Sequence, residues 1–255
     1  IQSRSVLHGM LLLLFVFSSL GAGILPSKNI KPEIVDALSN NFAEIQDFDL
    51  LSDQNGWLLL NHNLYWTKDN GKSWSEISHM RENKGLVYDV FFNNPQTGWL
   101  LWNKISFDDT QVLMISHTTD KGENWVDVTV SEILSTDPDA LLEKATMFWL
   151  DEANGWISIK RKTSSNFSIG ALFHTEDGGK TWIKSSLPIG GPVYFSTNKI
   201  GWIAGGAGGD EIFRTLDGGK TWEQQSILKS SGIDLHSIQY FLPTFDKTDT
   251  GMIPI

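Results

Sequence analysis

Short apolar runs separated by clusters of Gly, Asn and Asp dominate the chain from about residue 47 onward. Runs of this length, rich in β-branched and aromatic residues and closed by turn formers, predict strands and hairpins. The stretch from 192 to 225 shows the pattern most plainly. Pro192–Ser196 predicts a first strand, a turn at Asn198–Gly201 leads to a second over Trp202–Ala204, and Gly205–Gly209 makes the next turn. Glu211–Thr215 predicts a third strand, Asp217–Gly219 a tight turn, and Thr221–Gln225 a fourth. Equivalent first strands are predicted near Asp47–Leu51, Val87–Phe92, Thr146–Leu150 and Ser237–Leu242. Two segments read differently. Ala140-Leu141-Leu142-Glu143-Lys144, inside an insertion at Ser131–Lys144, predicts one helical turn, and Asn29–Asn40 predicts a short helix before the first strand.

Two sequence elements alternate through these units. The first is T-x-D-x-G-x-[ST]-W, at Thr67-Asp69-Gly71-Ser73-Trp74, Thr175-Asp177-Gly179-Thr181-Trp182 and Thr215-Asp217-Gly219-Thr221-Trp222. The copy at Thr118-Asp120-Gly122-Asn124-Trp125 departs from it only at Asn124. The second element is a Gly-Trp pair at Gly56-Trp57, Gly98-Trp99, Gly155-Trp156 and Gly201-Trp202, with Gly251-Met252 as a fifth copy in which Met replaces Trp. Repeats of about 40–57 residues, each with four short antiparallel strands, predict the blades of a β-propeller. The expected fold is all-β, with about four blades and the start of a fifth. The last unit reaches only Gly251-Met252, so an arc that continues beyond Ile255 is expected.

The first element has a physical logic. An Asp carboxylate accepts N–H groups of the residues that follow it and closes a turn. A Gly two positions on takes positive φ without strain. The Trp then folds back over the turn, and burying an indole removes about 150–250 Å² from water. The residues Asp69, Gly71, Trp74, Asp120, Gly122, Trp125, Asp177, Gly179, Trp182, Asp217, Gly219 and Trp222 are therefore read as structural.

The motif resembles the Asp-box, or BNR repeat, found in sialidases, xyloglucan-cleaving glycosidases, sortilin-type receptors and the photosystem II stability/assembly factor family. Together with the preceding Gly-Trp element, the chain looks most like the last of these and its bacterial relatives, over about Asp47–Ile255. The resemblance implies a propeller that binds a protein partner or assists assembly of a membrane or envelope complex, with glycoside hydrolysis on extracellular glycans as the alternative. Sialidases hold their substrate's carboxylate with an arginine triad and carry an Arg-Ile-Pro motif. This chain has four Arg (Arg4, Arg81, Arg161 and Arg214) and no Arg-Ile-Pro.

Composition narrows the partners. The net charge is −10, which argues against nucleic-acid binding. There is no Cys, which excludes disulfides and thiolate chemistry. The six His are scattered without zinc spacing, and His117 and His174 hold equivalent places just before a motif Thr, which suggests a shared strand position. Asp69-Asn70-Gly71 lacks the further acidic ligands of a calcium loop. Gly205–Gly209 is followed by a strand where a phosphate loop needs a helix, and reads as a hairpin turn. No catalytic, metal or cofactor site is assigned. Asp89 and Asp151, in or just after first strands, are the carboxylates left to test for acid–base chemistry.

The N-terminal residues differ in kind. Arg4 precedes the apolar run Met10–Phe17, and small residues follow at Gly21-Ala22-Gly23. This predicts a secretory signal over residues 1–25, a lead-in over 26–46, and the propeller over 47–255. An exported location follows, with no membrane span after cleavage and an uncleaved anchor as the alternative.

Overall fold

The computed structural model describes residues 44–78, 85–105, 111–133, 142–161, 169–226, 239–245 and 251–253. The predicted leader, the predicted lead-in helix, Arg4 and Arg81 lie outside these residues. The chain divides into two compact units, one ending at Ser78 and the other beginning at His79.

The first unit holds one sheet. Its strands β1 (Ile45–Leu50), β2 (Gly56–Leu60), β3 (Asn63–Thr67) and β4 (Ser75–Glu76) lie side by side in chain order, all antiparallel. Leu58, Leu60 and Tyr65 are its buried centre, with Phe48 and Trp74 packed against them.

The second unit holds three sheets of the same order. The first comprises β5 (Leu86–Phe92), β6 (Gly98–Ile105), β7 (Gln111–Thr118) and β8 (Val126–Ile133). The second comprises β9 (Leu142–Trp149), β10 (Gly155–Arg161), β11 (Ile169–Thr175) and β12 (Ile183–Leu187), and the third β13 (Val193–Phe195), β14 (Gly201–Gly205), β15 (Glu211–Thr215) and β16 (Glu223–Gln224). A two-stranded pair, β17 (Thr244–Phe245) and β18 (Gly251–Met252), follows. Among the described residues there is no helix.

Strand alternation explains why the sheet β9–β12 is apolar on both sides. On β9 and β10, Ala145, Met147, Trp149, Ile157 and Ile159 face β5–β8 and join Trp99, Leu101, Leu113 and Ile115 in one core. The opposite face, with Trp156 and Phe148, packs on Val193, Phe195 and Ile203 of the next sheet.

Two expectations are corrected. Leu142–Lys144 is strand, not helix: Leu142 pairs with Arg161 and Lys144 with Lys160. Helix-favouring residues here yield to the ladder and the core it closes. The fifth first strand is Thr244–Phe245, not Ser237–Leu242; Gln239–Pro243 belong to no strand. Phe245 pairs with Gly251 as Phe195 pairs with Gly201 and Trp149 with Gly155.

That pairing also accounts for the glycines of the Gly-Trp element. A Cβ on Gly155 would stand 2.5 Å from the Trp149 ring, and one on Gly201 2.5 Å from the Phe195 ring. Phe92 lies over Gly98 and Phe245 over Gly251 in the same way. The glycine is needed because a large side chain from the neighbouring strand lies flat on its backbone.

Candidate binding surface

The four T-x-D-x-G turns are superposable in their bonding. Each lies between the third and fourth strands of its sheet: Asp69 between β3 and β4, Asp120 between β7 and β8, Asp177 between β11 and β12, and Asp217 between β15 and β16. The Thr67 hydroxyl donates to Asp69 Oδ1 and accepts from Gly71 N–H, and Asp69 accepts the N–H and hydroxyl of Ser73. Asp177 repeats this with Thr175, Gly179 and Thr181, and Asp217 with Thr215, Gly219 and Thr221. In the second copy the Asn124 amide donates to Asp120 in place of a hydroxyl, so the departure keeps the bond. Trp74, Trp125 and Trp182 donate Nε1 to the carbonyls of Gly71, Gly122 and Gly179.

Each turn also clasps its own sheet. The residue before the motif Gly has positive φ and donates its N–H to the loop between the first two strands: Asn70 to Gln54, Lys121 to Gln96, Gly178 to Ala153, and Gly218 to Lys199. These carboxylates are saturated with donors and hold their pKa values below the usual 3.8. For Asp177, at about 2, the leading cause is the Thr181 hydroxyl, then the Thr181 N–H. For Asp217, also at about 2, burial pulls upward and is outweighed by the hydroxyl and N–H of Thr221. Asp69 and Asp120 shift the same way. A folded value below the unfolded one means stability that is full above about pH 4 and lost as pH falls toward 2. The melting temperature should therefore drop across that window. An Asp177→Asn/Asp217→Asn variant, already lacking two of the four groups, should start lower and fall less steeply. An unchanged slope would show that these turns do not govern acid stability.

Two of the Gly-Trp indoles, Trp99 and Trp156, sit between sheets of the second unit. Trp99 is sandwiched between His117 on β7 (4.9 Å) and Trp149 on β9 (4.0 Å), and Trp156 between His174 on β11 (4.6 Å) and Phe195 on β13 (3.9 Å). Each indole then donates Nε1 to the motif turn of the next sheet, Trp99 to Gly178 O and Trp156 to Gly218 O, both at 3.2 Å. His117 and His174 are thus stacking partners across the ladder, and burial pushes both below the usual imidazole value. Arg214 takes the same register opposite Trp202 and lays its guanidinium on that ring, 5.5 Å from the centroid.

The two candidate acids are both structural. Asp151 caps the β9–β10 turn, accepting from the N–H groups of Ala153 and Asn154 and from the Asn154 side chain. Burial raises its pKa, and those Asn154 bonds lower it by more. The same capping is done by Ser52, Asn94 and Thr197 at the equivalent position of the other turns, four residues before the Gly-Trp glycine. Asp89 is buried, 6% exposed. Its Oδ1 accepts from Val90 N–H (2.9 Å), and its Oδ2 accepts from Met147 N–H (2.7 Å) across the interface between β5 and β9. Among the described residues no three His, Asp or Glu side chains come together as a metal site.

Between β9–β12 and β13–β16 lies a cavity of about 250 Å³. It sits at the end of the strands opposite to the motif turns. Lys144 and Thr146 of β9 and Ser158 and Lys160 of β10 form one wall, and Gly190, Gly191, Pro192, Ala204, Gly205 and Gly206 the other. The Thr146 and Ser158 hydroxyls are hydrogen-bonded at 2.9 Å, and Lys144 stands directly opposite Lys160. The hairpin at Gly205–Gly209 takes positive φ at Gly205, Gly206 and Gly209 and forms one lip. This constellation is not among the expectations drawn from the sequence. Its signal was the alternation Lys144, Thr146 on one strand and Ser158, Lys160 on the next, which puts all four on one face.

Neither a family model nor a curated protein matches the chain. Solved structures do. An ancestral GH74 enzyme aligns over 82% of this chain and 29% of its own, with 12% identity and a TM-score of 0.56. The GH74 enzyme of Niastella koreensis aligns over 81% and 32%, with 12% identity and a TM-score of 0.51. The fold is a β-propeller. A structure of YCF48 bound to a D1 peptide aligns over 83% of this chain and 90% of its own, at 17% identity, with a TM-score of 0.32. The chain spans about a third of the length of the two GH74 enzymes, and a likeness at this identity extends to the fold alone.

Proposed function

We propose that the chain is an exported, non-catalytic propeller that binds a protein partner, in the manner of an assembly factor for a membrane or envelope complex. The observation that carries this reading is the employment of Asp89 and Asp151. General acid–base hydrolysis of a glycoside needs two carboxyl groups facing one space and free to exchange protons. Asp151 performs a turn-capping task that Ser, Asn and Thr perform elsewhere in the same chain. Asp89 is spent on two backbone N–H groups. The four motif Asp are spent likewise. What the surface does offer is a cavity between two blades, with two lysines and two hydroxyls on one wall that can hold a group.

The test uses protein recovered from the secreted or envelope fraction, whose N terminus is expected at Gly23–Lys28. Crosslinking should identify a partner, and the purified pair should bind one to one by calorimetry. The same material should release no sugar from β-glucan or sialyl substrates. Sugar release that disappears in a folded Asp89→Asn or Asp151→Asn variant would replace this reading with a glycosidase.

A further inference from the structure

We propose that the cavity between β9–β12 and β13–β16 is a carboxylate site, and that it takes an acidic side chain or chain terminus of a peptide. The choice of a peptide as carrier rests on the protein-binding reading above.

The protein contains its own template for this site. The register Phe91↔Trp99 on β5–β6 matches Phe148↔Trp156 on β9–β10, which makes Asp89 and Thr146 equivalent positions. At the interface between β5–β8 and β9–β12, the Asp89 carboxylate fills the slot and binds Met147 N–H of the next sheet. One interface further on, Thr146 stands in that place. Its shorter side chain turns to the Ser158 hydroxyl of its own sheet, and the open cavity lies there.

Charge points to the same ligand. Like charges directly opposite on neighbouring strands destabilise a sheet. Lys144 and Lys160 are such a pair, on the wall that among the described residues carries the side-chain donors. A carboxylate between them would be bound by charge-assisted hydrogen bonds. The facing wall includes Gly190, Gly191, Gly205 and Gly206, which bring no side chain of their own, and a Cβ at Gly190 would run into the Lys160 stem. Among the described residues no aromatic ring lines the cavity to stack on a sugar face, which favours a peptide over a sugar acid. The Glu211 carboxylate lies against Gly206 at the rim and would compete for the lysines.

The experiment is an amide-shift titration of the ¹⁵N-labelled full chain with the capped peptide Ac-Gly-Gly-Glu-Gly-Gly-amide, with the Gln peptide and glucuronate as separate arms. Saturable shifts at Gly190, Gly191, Gly205 and Gly206 are expected with the Glu peptide alone. Lys144→Met and Lys160→Met, which keep the apolar stem, should each weaken binding roughly tenfold. Lys144→Met should not lower the melting temperature, because it removes a like-charge opposition. Thr146→Asp should abolish binding by rebuilding the Asp89 arrangement; if it fails to fold, Lys144→Glu provides the competing carboxylate instead. Absence of shifts, equal response to the Gln peptide, or tighter binding of glucuronate would each overturn the proposal. If partner binding persists while the peptide arm fails, the carboxylate site falls and the protein-binding reading stands.

Discussion

Trp156→Ala should destabilise the protein by about 3–5 kcal/mol, a large share of the roughly 5–15 kcal/mol that holds a domain folded. Trp156 is fully buried, and it joins three elements at once. Its ring lies between His174 of its own sheet and Phe195 of the next, in both cases at an interplanar angle of 9°. Its Nε1 reaches the Gly218 carbonyl in the turn that Asp217 organises. Truncation removes both stacks, leaves a cavity the size of an indole, and orphans a buried carbonyl. Urea unfolding measured by far-UV circular dichroism checks this. Trp156→Phe separates the contributions, since it retains most of the stacking and loses only the hydrogen bond, and should cost about 1–3 kcal/mol. If Trp156→Ala cost no more than Trp156→Phe, the stacked ring would not be what joins these sheets.

The repeat made most of this legible. Strand order, the position of the motif turns and the equivalence of His117 and His174 follow from spacing, because the same local chemistry recurs in each sheet. Four features were not legible, each for a physical reason. Leu142–Lys144 carries helix-favouring residues, and only the partner strand β10 decides its conformation. The turn and strand pattern points to a fifth first strand near Ser237–Leu242. The better guide is the large side chain six residues before each Gly-Trp glycine, namely Leu50, Phe92, Trp149, Phe195 and Phe245. Position in or just after a first strand makes Asp89 and Asp151 candidate acids. Asp151 loses that status once Ser52, Asn94 and Thr197 are seen to do the same task. The lysine pair went unnoticed because isolated Lys residues read as solvent-facing, and their opposition exists only in the register of β9 against β10.

Asp89 gives the sharpest separation between a structural and a catalytic carboxylate. Asp89→Ala should cost about 2–4 kcal/mol, because it strips the acceptors from two N–H groups, one of them a buried group on the adjoining sheet. Asp89→Asn is informative because it is nearly isosteric. An Asn offers one acceptor oxygen where the Asp offers two, so its NH₂ must face either the Val90 or the Met147 N–H. A loss of about 1–3 kcal/mol is expected, the penalty of an unsatisfied buried donor. A residue reserved for chemistry would behave in the opposite way, since relieving its buried charge would leave stability unchanged or higher. Chemical denaturation of the two variants beside Asp151→Asn distinguishes these cases. Asp151→Asn should be nearly neutral, because Asn94 already performs that cap in the same fold. An Asp89→Asn protein at least as stable as the parent would remove Asp89 from the scaffold and return it to the list of candidate acids.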